Sequence, residues 1–213
     1  MTDKIKYAII GAGCMGQEHI LNIEIIEDAE VVALCDTSEQ SIKECLELLN
    51  NEVAIFEDYN ELVRANIADA FIIATPNFTH IDVLKDVMKS EAHLLIEKPL
   101  CTTVKDCQEF EELSKNYPGV IWTAMEYRYM PPVQRMIQEI HNKTIGDLKM
   151  LSIREHRFPF LHKVDDWNRF TIKTGGTLVE KCCHFFDLMR LIAKSEPLKV
   201  YASGNQDVNH LDE

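Results

Sequence analysis

The chain has 213 residues, 46% hydrophobic and 27% charged, a globular composition long enough for one large domain or two small ones. Its 22 basic against 35 acidic residues give a formal charge of −13, a surface that repels phosphate backbones and anionic lipid, so neither nucleic acid nor membrane is expected as a main partner. No apolar run approaches the ~18 residues of a membrane span, and no signal-peptide-like stretch follows Met1, so a cytoplasmic protein is expected.

Along the chain, short apolar runs alternate with amphipathic stretches, the sequence form of a parallel βαβ sheet. A strand is expected over Lys6 to Ile10, then a glycine loop and a helix from Cys14 to Ile26. Glu30 to Cys35 reads as a second strand, Glu39 to Asn50 as a helix, Val53 to Phe56 as a short strand and Tyr59 to Arg64 as a brief helix. Ala70 to Ala74 is wholly apolar, as a strand buried on both faces should be. His80 to Lys89 reads as a helix, His93 to Ile96 as a strand, Val104 to Lys115 as a helix and Val120 to Met125 as a last strand.

Beyond 125 the rhythm changes. Pro131-Pro132 opens a helix to about His141, with proline in the first turn where its missing N–H costs nothing. Leu148 to Phe158 alternates like an antiparallel strand, Gly175-Gly176 precedes a helix over Thr177 to Ala193, and Pro197 to Ser203 reads as one more strand. The fold class is therefore α/β: a doubly wound parallel sheet of Rossmann type over 1–125, followed over 126–213 by an incomplete α+β unit. The seven cysteines form no CxxC and fall inside apolar runs, which predicts buried free thiols. Cys182, Cys183 and His184 are adjacent rather than at ligand spacing, so no metal is expected.

Gly11-Ala12-Gly13-Cys14-Met15-Gly16 has the GxGxxG spacing, between a strand and a helix. The first glycine permits a tight turn, the second lets a pyrophosphate approach the backbone, and the third lets helix and strand pack closely. The helix N-terminus offers free N–H groups and its positive dipole end to the phosphates. Asp36, 20 residues past Gly16 at the end of strand two, suits the ribose hydroxyls of NAD and would repel the extra phosphate of NADP, although NADP is not excluded. The alternative for Asp36 is a helix cap, a role that Thr37 and Ser38 could equally fill. Thr75-Pro76-Asn77-Phe78-Thr79-His80 and Glu97-Lys98-Pro99 follow two further strands, where open α/β sheets bind ligands; alone, they read equally as a turn and a surface ion pair.

Together these motifs resemble the Gfo/Idh/MocA family of NAD(P)-dependent oxidoreductases. The resemblance is carried by Ile9 to Gly16, Ala74-Thr75-Pro76-Asn77 with His80, Glu97-Lys98-Pro99-Leu100, Arg128-Tyr129-Met130-Pro131, Trp167-Asn168-Arg169, and Gly175-Gly176-Thr177-Leu178 through His184 to Asp187. It implies a Rossmann domain, then a domain on a large open antiparallel sheet, of which this chain would carry only the beginning and which usually makes homo-oligomers. It implies hydride transfer between the nicotinamide and a secondary alcohol of a polyol, sugar or cyclic diol. Lys98 matches the family's lysine beside nicotinamide and substrate, and Glu180 with His184 matches its Asp-x-x-x-His pair, here with glutamate in the aspartate's place. Thr75, Pro76, Asn77, His80, Glu97, Trp167 and Arg169 would border the cofactor.

The chemistry agrees. Oxidising an alcohol needs a proton removed from oxygen as hydride leaves carbon, and a histidine with pKa near the working pH suits that step. On one continuous helix, Glu180 and His184 would share a face one turn apart; the alternative is an ordinary solvated pair, with Cys183, Phe186 and Leu191 facing the core. Arg128 reads equally as a structural ion-pair member. Two other readings fit the fold: an NAD-dependent glycosidase, and a truncated dinucleotide-binding protein without catalysis.

Overall fold

The computed structural model describes residues 4–156 and 163–204. Six parallel strands form one sheet in the order β3-β2-β1-β4-β5-β6. They are β1 (Ile5–Ile10), β2 (Ala29–Cys35), β3 (Ala54–Phe56), β4 (Ala70–Ile73), β5 (His93–Ile96) and β6 (Ile121–Thr123). Between them run α1 (Cys14–Glu24), α2 (Glu39–Leu46), α3 (Tyr59–Ala65), α4 (His80–Val87) and α5 (Val104–Ser114). This is the doubly wound arrangement expected, with each element within a few residues of its predicted bounds.

Alternation along the strands builds a core on each face. Ala8, Ile10, Phe71, Ile73, Leu94 and Ile96 meet Leu62 of α3, Leu84 and Val87 of α4 and Phe110 of α5. Ile9, Val31, Leu34 and Ile72 meet Ile20 and Ile23 of α1 and Ile42 of α2. Each such large side chain contributes about 1.5–3 kcal/mol on burial, which is why the central strands read as unbroken apolar runs. The strand order reverses between β1 and β4, so the loops leaving their carboxyl ends part there and open a crevice.

After β6 come α6 (Pro131–His141), α7 (Thr171–Thr174), α8 (Thr177–Glu180) and α9 (Cys183–Ala193). The helix expected over Thr177 to Ala193 is broken. The N–H groups of Lys181 and Cys182 both bond to Thr177 O, and Cys182 O begins α9 by accepting from Phe185 and Phe186. The strand expected over Leu148 to Phe158 is absent through residue 156, and its last two positions lie outside the described residues. The strand expected over Pro197 to Ser203 is also absent. A strand exists only where a neighbour takes its backbone hydrogen bonds, and no described residues flank either segment as strands.

All seven cysteines are free thiols, but only Cys35, Cys45 and Cys101 are buried; Cys14 and Cys107 are exposed. No described helix is long and apolar enough to cross a membrane.

Candidate active site

The glycine loop rises from the end of β1 beside the end of β4. Gly11 has φ +100°, and a Cβ there would lie 2.5 Å from Ala74 C. A Cβ on Gly16 would lie 2.2 Å from Gly11 O, so α1 seats directly on the turn. At Gly13 a Cβ would meet nothing within 4 Å. The middle glycine therefore leaves open space above the backbone at the start of α1, whose first bonded N–H is that of Gln17 to Gly13 O. The N–H groups of Cys14, Met15 and Gly16 precede it and are unused by the helix, which makes this end able to hold a pyrophosphate.

Asp36 is tied into the loop. Its Oδ2 accepts the Ala12 N–H at 2.7 Å and its Oδ1 the Ser38 N–H at 2.8 Å. The cap of α2 is Ser38, whose hydroxyl oxygen accepts from Ser41 N, so Asp36 is not the cap. The carboxylate is held at the tip of β2, with lone pairs remaining for ribose hydroxyls.

The turn after β4 carries Thr75, Pro76 and Asn77. The Thr79 hydroxyl donates to Pro76 O at 2.7 Å, and Asn77 is buried with its Nδ2 lacking any partner. His80 was expected to border the cofactor, but it is fully buried. Its Nε2 lies 3.0 Å from Thr75 O and its Nδ1 3.0 Å from Pro99 O, so it braces the turn against the loop after β5. Burial pushes its pKa down against three carbonyl contacts that favour the charged ring. Glu97 is likewise buried as a brace, its Oε1 2.9 Å from His19 Nε2 on α1 and its Oε2 accepting the Lys98 N–H at 3.1 Å. His19 went unnoticed in the sequence, although its place three residues past Gly16 puts it on the sheet side of α1. Trp167 packs edge-on against Phe78 with ring centroids 6.4 Å apart, bringing the 164–169 turn, which includes Arg169, over the end of β4.

Lys98 leaves β5 and reaches the second half of the chain. Its Nζ lies 3.8 Å from Glu180 Oε1 and 3.4 Å from Glu180 O. Glu180 is placed by the Gly175-Gly176 turn, where both residues have positive φ and a Cβ on Gly175 would meet Thr102 O at 2.6 Å. The second half thus docks onto the loop that bears Lys98. His184 is 1% exposed, and with Leu188 and Ile192 it forms the buried stripe of α9, which disposes of the solvated-pair alternative. Phe186, which that alternative would turn toward the core, is exposed.

The His184 Nε2 lies 3.4 Å from Glu126 Oε1, its Nδ1 has no partner, and its ring stacks on Tyr127. Its pKa is pushed down to about 4, first by burial, then by Lys98 and Lys181. This differs from the expectation of a pKa near the working pH: the imidazole is uncharged at neutral pH. Glu126, exposed in the 126–129 turn, is shifted the other way, first by partial desolvation and then by Glu97. Arg128 settles as an ion-pair member, forming a bidentate bridge to Asp187 of α9. Among the described residues no group of three or more His, Cys, Asp or Glu could hold a metal.

A depressed histidine pKa has a consequence for stability. The unfolded chain takes up the proton near pH 6.5 and the folded chain only near pH 4, so folding stability falls as pH drops through that window. The expected loss from His184 is about 3 kcal/mol. His80 acts in the same direction, while Glu126 opposes it weakly. Urea midpoints measured across this range should fall less steeply in His184→Gln than in the parent; identical slopes would contradict the assignment.

Residues 5–125 match the family model described as the oxidoreductase family with NAD-binding Rossmann fold, and residues 137–213 match that family's C-terminal alpha/beta domain. A myo-inositol 2-dehydrogenase of Thermotoga maritima is 27% identical over 201 residues, covering 94% of this chain and 58% of the relative. A glycosyl hydrolase family 109 protein of Akkermansia muciniphila is 31% identical over 154 residues, 68% of this chain and 32% of that protein. The crystal structure of a probable dehydrogenase from Thermotoga maritima superposes with a TM-score of 0.76 at 26% identity, over 90% of this chain and 56% of that one. The chain thus spans less than two thirds of the length of these relatives.

Proposed function

The chain belongs to this oxidoreductase family, and on that premise we propose that it is an NAD-dependent dehydrogenase acting on a secondary alcohol of a polyol, sugar or cyclic diol. The observation that carries the reading is a set of buried polar atoms without partners: Asn77 Nδ2, Glu180 Oε2 and His184 Nδ1. Each costs about 1–3 kcal/mol when left unsatisfied, and all three belong to residues near the ends of β4 and β5 or facing Lys98. A hydroxylated substrate and a nicotinamide supply the donors and acceptors they lack.

In this reading residues 1–125 bind the cofactor and residues 126–213 form part of the substrate and oligomerisation unit. The pyrophosphate lies over Gly13 on the N–H groups of Cys14, Met15 and Gly16, and Asp36 takes the ribose hydroxyls. Thr75, Pro76, Asn77, Trp167 and Arg169 border the nicotinamide, with Glu97 and His80 holding the loops in place. NAD, when bound, supplies the hydride acceptor. Lys98 and Glu180 orient the substrate hydroxyls, and His184, uncharged at neutral pH, accepts the hydroxyl proton. Self-association of the whole protein goes with this reading; the apolar, exposed Leu198, Val200 and Tyr201 support it.

The test is formation of reduced nicotinamide across a panel of inositols, sugars and polyols. Oxidation of at least one supports the proposal. Tightly held NAD with release of a chromogenic aglycone, and no net reduction, would replace it with the glycosidase reading. For cofactor choice, Asp36→Asn keeps the shape and removes the charge. The ratio of NADP to NAD affinity should rise on the order of tenfold or more, because a carboxylate facing a phosphate costs several kcal/mol. An unchanged ratio by calorimetry would take Asp36 out of the discrimination.

A further inference from the structure

Lys181 is 6% exposed, in the break between α8 and α9. An ammonium is expensive to bury without partners, so what surrounds it matters. Its Nζ donates to the Tyr127 hydroxyl at 2.5 Å and lies 3.5 Å from Glu155 Oε1. It also sits 4.7 Å from the Tyr127 ring centroid and 5.8 Å from that of Phe185. The Tyr127 ring in turn lies flat on the His184 imidazole, with centroids 4.2 Å apart and planes at 8°. Tyr127 comes from the 126–129 turn after β6, so the stack joins two distant parts of the chain.

We propose that Lys181 is a positioning residue for His184: its ammonium, anchored on the Tyr127 hydroxyl, clamps the tyrosine ring against the imidazole and sets a fixed positive charge behind it. The flat stack fixes the plane of the ring and therefore the direction of its two nitrogens. The charge makes an imidazolium unfavourable, so the ring stays an open proton acceptor. Lys98 acts from the opposite element in the same sense. The anions around the pair are Glu97 from the end of β5, Glu126 from the turn, Glu180 from α8, Asp187 from α9 and Glu155 beside Lys181 itself. Asp187 is engaged by Arg128 and Glu180 by Lys98. Lys181 is thus the cation placed by α8–α9 to balance a largely acidic surround.

The inference rests on the reading of His184 as proton acceptor for its kinetic consequence alone, so it is tested first without turnover. In the full chain carrying labelled histidine, the His184 ring signal, assigned by its loss in His184→Gln, is titrated by NMR. Lys181→Met should raise the midpoint by about one pH unit, the scale for removing a like charge at this range. Lys181→Arg should leave it near the parent's, and Tyr127→Phe, which keeps the ring but loses the anchor, should raise it by less. An unmoved midpoint in Lys181→Met overturns the proposal. Should that variant fail to fold, an unmoved midpoint in Tyr127→Phe overturns it instead. In the oxidation assay the acid limb of kcat/KM should move with the midpoint while NAD affinity holds. A chain that titrates as expected yet oxidises no alcohol refutes the dehydrogenase reading and leaves the clamp standing. Oxidation with an unmoved midpoint and acid limb refutes the clamp alone.

Discussion

Lys98→Ala lowers the rate of alcohol oxidation by about a hundred- to ten-thousandfold while NAD binding persists. Lys98 sits at the meeting point of the two halves of the chain, its ammonium bridging to both the side chain and the backbone carbonyl of Glu180. After burial it is also the strongest influence holding the His184 pKa down. Removing it takes away the cation that orients a substrate hydroxyl and leaves Glu180 buried with neither carboxylate oxygen paired, a change that costs several kcal/mol in a buried pair. The pyrophosphate cradle is built by other residues and stays intact. The effect should fall on kcat more than on the affinity for NAD, which rapid-mixing absorbance and calorimetry separate. Turnover at the parent's rate would remove Lys98 from the chemistry.

The second large effect separates two glycines, three residues apart, that differ in role. Gly13→Val should weaken NAD binding by on the order of a hundredfold, about 2.8 kcal/mol, and leave the melting temperature near the parent's. Gly13 has φ −74° and nothing within 4 Å of a Cβ placed there, so a side chain fits that backbone conformation and fills the approach to the backbone. Gly16→Ala should do the reverse first, destabilising the fold by about 1–3 kcal/mol or more, because its Cβ would run into Gly11 O at 2.2 Å. Thermal melts and NAD titrations on both variants check the contrast. A Gly13→Val protein that binds NAD like the parent would place the dinucleotide elsewhere.

The sheet and the glycine loop were legible because their signals are local. Buried parallel strands read as apolar runs, and the Gly11, Gly13, Gly16 spacing sits between a strand and a helix. Features that depend on long-range pairing were not. Lys181 meets Tyr127 across 54 positions, Arg128 meets Asp187 across 59, and His19 meets Glu97 across 78. Spacing within one segment carries no trace of such contacts. The break at Lys181 and Cys182 escaped for a related reason: the apolar periodicity of Thr177 to Ala193 continues through it, while the lysine that occupies it is held by Tyr127 and Glu155 from elsewhere. His80 shows a motif residue whose place was legible and whose part was not, since only the fold reveals that it faces three carbonyls rather than a ligand. The alternating segments at 148–158 and 197–203 show the limit from the other side. Their pattern suits a strand, but pairing needs a neighbour.

The proposed step is hydride transfer between a hydroxylated carbon and a dinucleotide on the Gly11–Gly16 loop. An inositol deuterated at its carbinol carbons, incubated with the protein and oxidised NAD, tests that directly by NMR of the nicotinamide. Deuterium is expected at C4 of the reduced ring, on one face, and is lost with Lys98→Ala. Reduced nicotinamide without deuterium, or none formed from any polyol, sugar or cyclic diol by a folded chain that binds NAD, would contradict it.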